Sequence, residues 1–262
     1  MPLPSFDEPL ARAAQVVADA RYVTAFVGAG MSVESGIAPF RGKGGLWTKY
    51  GEPPMNGYQT FLQDPRAWWV DRLTEQPRPE ARGFESAQPN PGHHALVDLE
   101  RMGILNYVLT QNVDNLHRAA GSVNVAEIHG NRTLLRCIAC GRRFPRDRFT
   151  LAPETVPPHC PACNGLVKGD GVMFGEPIPR DVLRVFQEQS AQTDCMLLLG
   201  TSAVVYPAAG FPVQAKRRGA TLIEINTEGS QLTPICDLAI PAPTGEALPL
   251  LVRHIRKYLE VG

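Results

Sequence analysis

Val27-Gly28-Ala29-Gly30-Met31-Ser32-Val33-Glu34-Ser35-Gly36-Ile37-Ala38-Pro39-Phe40-Arg41-Gly42 is the stretch on which the fold turns. It follows an apolar run, Tyr22 to Val27, that reads as a buried strand. A strand ending in Gly-Ala-Gly lets backbone come close to a partner, because glycine carries no Cβ. N–H groups at a following helix start favour phosphate. The plain dinucleotide fingerprint is nevertheless not met: its third glycine would fall at Val33. The acidic residue expected about 20 positions on falls at Glu52, in a Gly/Pro-rich segment instead of a strand tip. Spacing alone leaves a nucleotide site and a structural strand-to-helix turn both open.

Around that turn, apolar periodicity predicts alternating strands and helices. A helix is expected over 5–20, with Ser5 and Glu8 at capping-box spacing. Strands are expected at 105–110, 123–128, 195–199, 221–225 and 238–240. Helices are expected at 93–102, 115–120, 179–190, 208–217 and 244–260. This alternation argues for an α/β fold with a doubly wound parallel sheet. Residues 42–57 read as a loop, 58–75 as a helix and 76–92 as irregular; the block 42–92 does not alternate and reads as an insertion.

The chain has 262 residues, enough for a sizeable core, and a formal net charge of zero. Such a balance offers no field for nucleic acid or an anionic membrane, so neither is expected as a partner. No apolar run is long enough to span a bilayer, and the first residues lack the pattern of a signal peptide. A cytoplasmic location is the expectation.

Of six cysteines, four form two Cys-x-x-Cys pairs, Cys137/Cys140 and Cys160/Cys163, with 19 residues between them. That is close to the spacing of a four-cysteine zinc ribbon. Thiolates in tetrahedral array suit zinc, and with four cysteines no position is left open for substrate, so one structural ion is expected. Cys195 and Cys236 stand alone in apolar runs and read as inert buried thiols.

Polar residues gather where strands end. Gln111-Asn112-Val113-Asp114 follows one strand; its plain alternative is a helix cap on Asp114 or Asn115. His129 follows another strand, Gly200-Thr201-Ser202 a third and Asn226 a fourth. Each is open to a local structural reading. Together they outline a crevice at the carboxyl edge of one sheet, where open α/β sheets bind ligands. Val172 to Glu176 reads either as an edge strand that receives an extended peptide or as an ordinary strand and turn.

In combination these motifs resemble the sirtuin family of NAD-dependent protein-lysine deacylases. The likeness spans Gly28 to Ser32, Ser35-Gly36-Ile37, Phe40-Arg41-Gly42, Pro89 to His93, Gln111 to Asp114, and Glu127 to Gly130. It continues through the cysteine pairs, Phe174-Gly175-Glu176, Gly200 to Ser202 and Val205-Tyr206-Pro207. It implies a Rossmann-type domain from 1–41, 89–132 and 168–262. It also implies a small domain from the insertion 42–88 and the zinc segment 133–167. NAD contacts are implied for Gly28, Ala29, Gly30, Ser32, Phe40 and Arg41, for Gln111, Asn112 and Asp114, and for Gly200, Thr201, Ser202 and Asn226. His129 would be the general base, with Asn112 ordering ribose and water. Val172, Phe174, Gly175 and Glu176 would line the acyl-lysine groove. The acyl oxygen would attack C1′ of the nicotinamide ribose, giving nicotinamide, free lysine and an O-acyl-ADP-ribose.

Two positions depart from the family pattern. Pro39 stands where Asp or Thr usually precedes Phe-Arg, and proline stiffens that loop. Counting from Trp69, Arg72 and Glu75 stand where desuccinylase-type members carry Tyr-x-x-Arg, which predicts an acetyl or other uncharged acyl group. The alternatives are an NAD hydrolase or ADP-ribosyltransferase, and a non-catalytic module that binds NAD or acyl-lysine.

Overall fold

A computed structural model of the chain describes residues 6–75 and 83–261. Its centre is a six-stranded, wholly parallel sheet. The strands are β1 (Val23–Val27), β2 (Leu105–Thr110), β3 (Val125–Glu127), β7 (Cys195–Leu199), β8 (Thr221–Ile225) and β9 (Leu238–Ile240), in the order β3-β2-β1-β7-β8-β9. Every residue of β1 and β7 is buried, as continuous apolar runs in a sheet covered on both faces require. Successive side chains go to opposite faces. Val23, Ala25 and Val27 join one core, while Phe26 joins another with Phe186 and Phe211. The strand order reverses between β1 and β7, which is the switch point of a doubly wound sheet.

Helices α1 (Asp7–Asp19), α6 (Pro91–Arg101) and α10 (Thr244–Val261) cover the first core. Helices α8 (Arg180–Gln192) and α9 (Gly210–Arg217) cover the second. The expected cap at Ser5 lies outside the described residues; α1 carries Asp7 and Glu8 in its first turn, where the helix dipole favours acids. Helix α6 has the reciprocal cap: the Asn90 side chain accepts from the backbone N–H of Gly92 and His93, and the Asn90 N–H donates to His93 Nδ1. Short α7 (Leu116–Ala120) starts from Asn115, in the left-handed region at φ 70°.

A second, antiparallel sheet holds β4 (Leu134–Cys137), β5 (Arg143–Pro145) and β6 (Val167–Gly169), in the order β5-β4-β6. The insertion packs on it. The segment expected to be a loop contains α2 (Leu46–Tyr50). The single helix expected after it is two, α3 (Gly57–Gln63) and α4 (Pro65–Thr74). Proline at the first position of α4 cannot continue α3, and Asp64 caps the new helix by accepting from the Ala67 N–H at 2.8 Å. The expected irregular segment includes α5 (Gly83–Ser86). Trp69 of α4 is buried against Leu135, Cys137 and Val167, and its indole donates to the Val167 carbonyl at 3.1 Å. Among the described residues no helix is long and apolar enough to cross a membrane.

Candidate active site

A cavity of about 1080 Å³ opens at the switch point, beyond the carboxyl ends of the parallel strands. The turn after β1 supplies Gly28, Ala29 and Gly30, and the turn after β7 supplies Gly200, Thr201 and Ser202. These turns lie against each other. The Gly30 N–H donates to the Gly200 carbonyl at 2.8 Å. A Cβ on Gly30 would stand 2.7 Å from Gly200 Cα, and one on Gly200, at φ +54°, would stand 2.4 Å from Met31 N. The bare backbone expected to admit a ligand is therefore needed first to admit the neighbouring turn.

The polar side chains form a chain of contacts behind this wall. Asn112 Nδ2 donates to the Gly28 carbonyl at 3.0 Å and to Ser32 Oγ at 3.2 Å. Ser32 Oγ donates to Asp114 at 2.6 Å, and the other Asp114 oxygen accepts from the Leu116 N–H. Ser32 and Asp114 do not line the cavity; they sit one layer behind it and hold Asn112 at its edge. Asp114 thus makes the helix-start bond that the plain reading expected, and a second bond besides. Gln111 Nε2 donates to Thr201 Oγ1 at 3.0 Å. Asn226 Nδ2 ties the β7 and β8 turns together through the carbonyls of Thr201 and Gly229.

His129 lines the same cavity, with Nδ1 3.1 Å from the Gln111 carbonyl oxygen. A carbonyl only accepts, so Nδ1 carries the proton in the neutral ring and Nε2 keeps its lone pair. Burial pushes this imidazole below its ordinary range, partly offset by the bond to Gln111.

Above the turn, Phe40, Trp47 and Phe174 form a row, with ring centres 4.9 and 5.7 Å apart in succession. The Arg41 guanidinium lies 4.3 Å from the Trp47 ring centre and pairs with Glu52 at 2.8 Å. The Pro39 and Phe40 carbonyls accept from the N–H groups of Leu46 and Trp47, so α2 is pinned to the Pro39-Phe40 segment. Pro39 lines the cavity and makes this bond through its carbonyl, which proline retains. Trp47, Met55 and Glu228 also line the cavity; Met55 and Glu228 were not singled out from sequence, and Trp47 read there as simple packing. Glu228 follows Asn226 by two positions, which was the available signal.

Val172 to Glu176 also borders the cavity, but pairs with neither sheet; it is irregular and turns at Phe174-Gly175. The Val172 N–H donates to the His129 carbonyl at 2.8 Å, which ties it to the β3 tip. The Glu176 carboxylate is turned inward and only 3% exposed, pairing with Arg136 at 2.7 Å and Lys168 at 2.9 Å while accepting from the Met173 N–H. Lys168 is fully buried, and burial pushes its amine down to about 8. Arg72 and Glu75 do not line the cavity; the Arg72 guanidinium is stacked on Trp68 at 4.1 Å. Charge at those two positions therefore does not meet a ligand in this cavity.

The four Sγ atoms of Cys137, Cys140, Cys160 and Cys163 all lie within 4.8 Å of one another. Cys137 and Cys163 are 3.5 Å apart, and Cys140 and Cys160 3.8 Å. Ligands about 2.3 Å from a tetrahedral zinc stand about 3.8 Å from each other. A Cβ on Gly165 would come within 3.0 Å of Cys137 Sγ, so glycine keeps the knuckle clear. Donors and spacing fit zinc. Cys195 is buried and Cys236 half-buried, and burial pushes both thiols up to about 12, so neither is a ready nucleophile.

Comparison with known proteins gives one answer. The NAD-dependent protein deacylase of Thermococcus kodakarensis is 43% identical over 251 residues, covering 94% of this chain and 96% of its own. The crystal structure of a Sir2 homolog–NAD complex matches with a TM-score of 0.78 at 39% identity, over 95% of this chain and 94% of that one. A Sir2 protein bound to a myristoylated histone peptide matches with a TM-score of 0.72 at 32% identity, over 98% and 100% of the two chains. Residues 28–207 match the model of the Sir2 family, and with that extent of likeness the chain belongs to it.

Proposed function

We propose that this chain is an NAD-dependent protein-lysine deacylase, and that the cavity at the switch point takes NAD and the acyl-lysine side chain together. The observation that carries the reading is a convergence. The Gly28–Gly30 turn, Asn112 and His129 come from three strands, and all border one cavity roofed by the Phe40–Trp47–Phe174 row. NAD supplies an activated ribose carbon, from which nicotinamide leaves as the acyl oxygen attacks.

The chain's own residues then have separate tasks. The glycine turns and Gly200-Thr201-Ser202 approach the diphosphate with backbone, and Asn226 and Gln111 fix those turns. Asn112, braced by Ser32 and Asp114, orients the reacting ribose. His129 takes a proton at Nε2, with Nδ1–H held by Gln111. Phe40 and its neighbours exclude water from the reacting face. Val172, Phe174 and Gly175 border the acyl-lysine groove, while Glu176 holds that segment through its bonds to Arg136, Lys168 and the Met173 N–H.

In this reading 1–41, 89–132 and 168–262 form the NAD-binding domain, and 42–88 with 133–167 the small one. The β6 pairing carries the small sheet to Gly169, so the boundary there falls slightly later. Cys137, Cys140, Cys160 and Cys163 would hold one structural zinc. Free thiols as metal ligands suit a reducing compartment, so a cytoplasmic setting is proposed. The acyl group would be uncharged, since Phe40, Met55, Phe174 and Ile178 line the cavity and Glu176 is already paired. The partners would be acyl-lysine proteins, with neither membrane nor nucleic acid required.

The test is His129→Ala, assayed against an acetyl-lysine peptide and by calorimetry with ADP-ribose. Deacylation should fall by at least 100-fold, the lower end of what a general base contributes, with ADP-ribose still bound. Unchanged turnover would remove His129 from the mechanism.

A further inference from the structure

We propose that Glu52 sets the affinity of this site for its dinucleotide, by competing with the diphosphate for the Arg41 guanidinium. The proposal rests on reading the cavity as an NAD site.

The geometry is that of a cation already engaged. One Glu52 oxygen accepts from both Nε of Arg41, at 3.1 Å, and Nη2, at 2.8 Å. The same edge of a guanidinium is what a phosphate uses, because carboxylate and phosphate offer matching acceptor pairs. Trp47 lies against a face of the group at 4.3 Å, so the plane is held while the edge exchanges partners. Arg41 borders the cavity beside Gly42, Lys43 and Glu52 itself. A diphosphate laid along the glycine turns therefore approaches Arg41 in the presence of a carboxylate that is covalently tethered 11 residues away.

Solvent exposure makes that exchange feasible. The Arg41 side chain is 29% exposed and that of Glu52 55%, whereas the Arg136–Glu176 pair deeper in the wall is 6% and 3% exposed. A pair open to water is weak and breaks at small cost; the buried one is not available for exchange. Glu52 was the residue at the approximate spacing of the acidic ribose partner in a dinucleotide fingerprint. Its partner here is the Arg41 guanidinium, so it acts on the cofactor's anionic part and opposes binding.

Calorimetry with ADP-ribose tests this, alongside the KM for NAD. Glu52→Gln should bind ADP-ribose about two- to five-fold more tightly than wild type, the range an exposed ion pair sustains, and the KM for NAD should fall by the same factor without a rise in kcat. The gain should vanish in the Arg41→Gln background, because the competition has lost its object. Binding that is unchanged or weaker in Glu52→Gln would overturn the proposal, and so would a gain that persists without Arg41, which would report only a less negative cavity. Wild-type protein that fails to bind ADP-ribose would overturn the NAD reading itself, an outcome separable from both.

Discussion

His93 and His117 are two imidazoles packed in the interior, with ring centres 4.9 Å apart. Neither His117 nitrogen has a hydrogen-bond partner among the described residues, and His93 has one only at Nδ1. Burial pushes His93 down to about 3 and His117 down to about 4. In the unfolded chain each returns to about 6.5. Below that pH the unfolded state takes up protons that the folded state refuses. Stability is therefore complete above about 6.5 and lost as pH falls toward 4, by about 1.4 kcal/mol per pH unit for each ring. Urea unfolding at pH 7.5, 5.5 and 4.5 should show that contribution, and His117→Gln should reduce the slope by about 1.4 kcal/mol per pH unit. Equal slopes in the two proteins would contradict the assignment. At this scale sequence showed which residue types gather at the strand tips and in the cysteine pairs. It did not show that Arg41 pairs with Glu52 or that Glu176 points inward to Arg136 and Lys168. Those pairings depend on which strands and loops become neighbours, and no spacing in the chain records that.

Between elements, the contact that shapes the site is the one between the turns after β1 and β7. Gly200→Ala must push a Cβ into Met31 N at 2.4 Å, from a left-handed backbone. Gly169→Ala meets nothing within 4 Å. The first should cost about 1–3 kcal/mol, as overpacking does, and depress ADP-ribose binding; the second should stay within about 0.5 kcal/mol. Thermal melts and calorimetry of both variants decide the matter, and equal melting temperatures would mean the two turns are not locked. Strands β2, β7, β8 and β9 begin and end as their largely apolar runs predict, because a sheet covered on both faces buries mostly apolar side chains; Thr110 and Glu224 are the buried polar residues among them. The insertion was less legible. Helix α2 is five residues long and held by the Pro39 and Phe40 carbonyls and the Phe40–Trp47 contact, none of which is local helix propensity. The break between α3 and α4 was legible in Asp64-Pro65, a cap followed by a first-turn proline, and the apolar pattern across it hid the signal.

Across the whole molecule, the small sheet reaches the cavity through one set of ion pairs. Trp69 packs α4 onto the cysteine segment, and the Arg136–Glu176 and Lys168–Glu176 pairs tie that sheet to the loop 172–176 that borders the cavity. A metal held by the four thiolates would stabilise this sheet, since the core around it is small. Chelator treatment should first red-shift the tryptophan emission, through Trp69, and only later reduce the helical circular dichroism that the larger sheet and its helices maintain. A single concerted loss of both signals would contradict that order. The central claim concerns chemistry and has a more direct test: incubate the protein with NAD and an acetyl-lysine peptide, and quantify products by mass spectrometry. One O-acetyl-ADP-ribose and one nicotinamide should form for each lysine freed, and no lysine should be freed without NAD. Free acetate without NAD consumption, or ADP-ribose formed at the same rate with no peptide present, would contradict it.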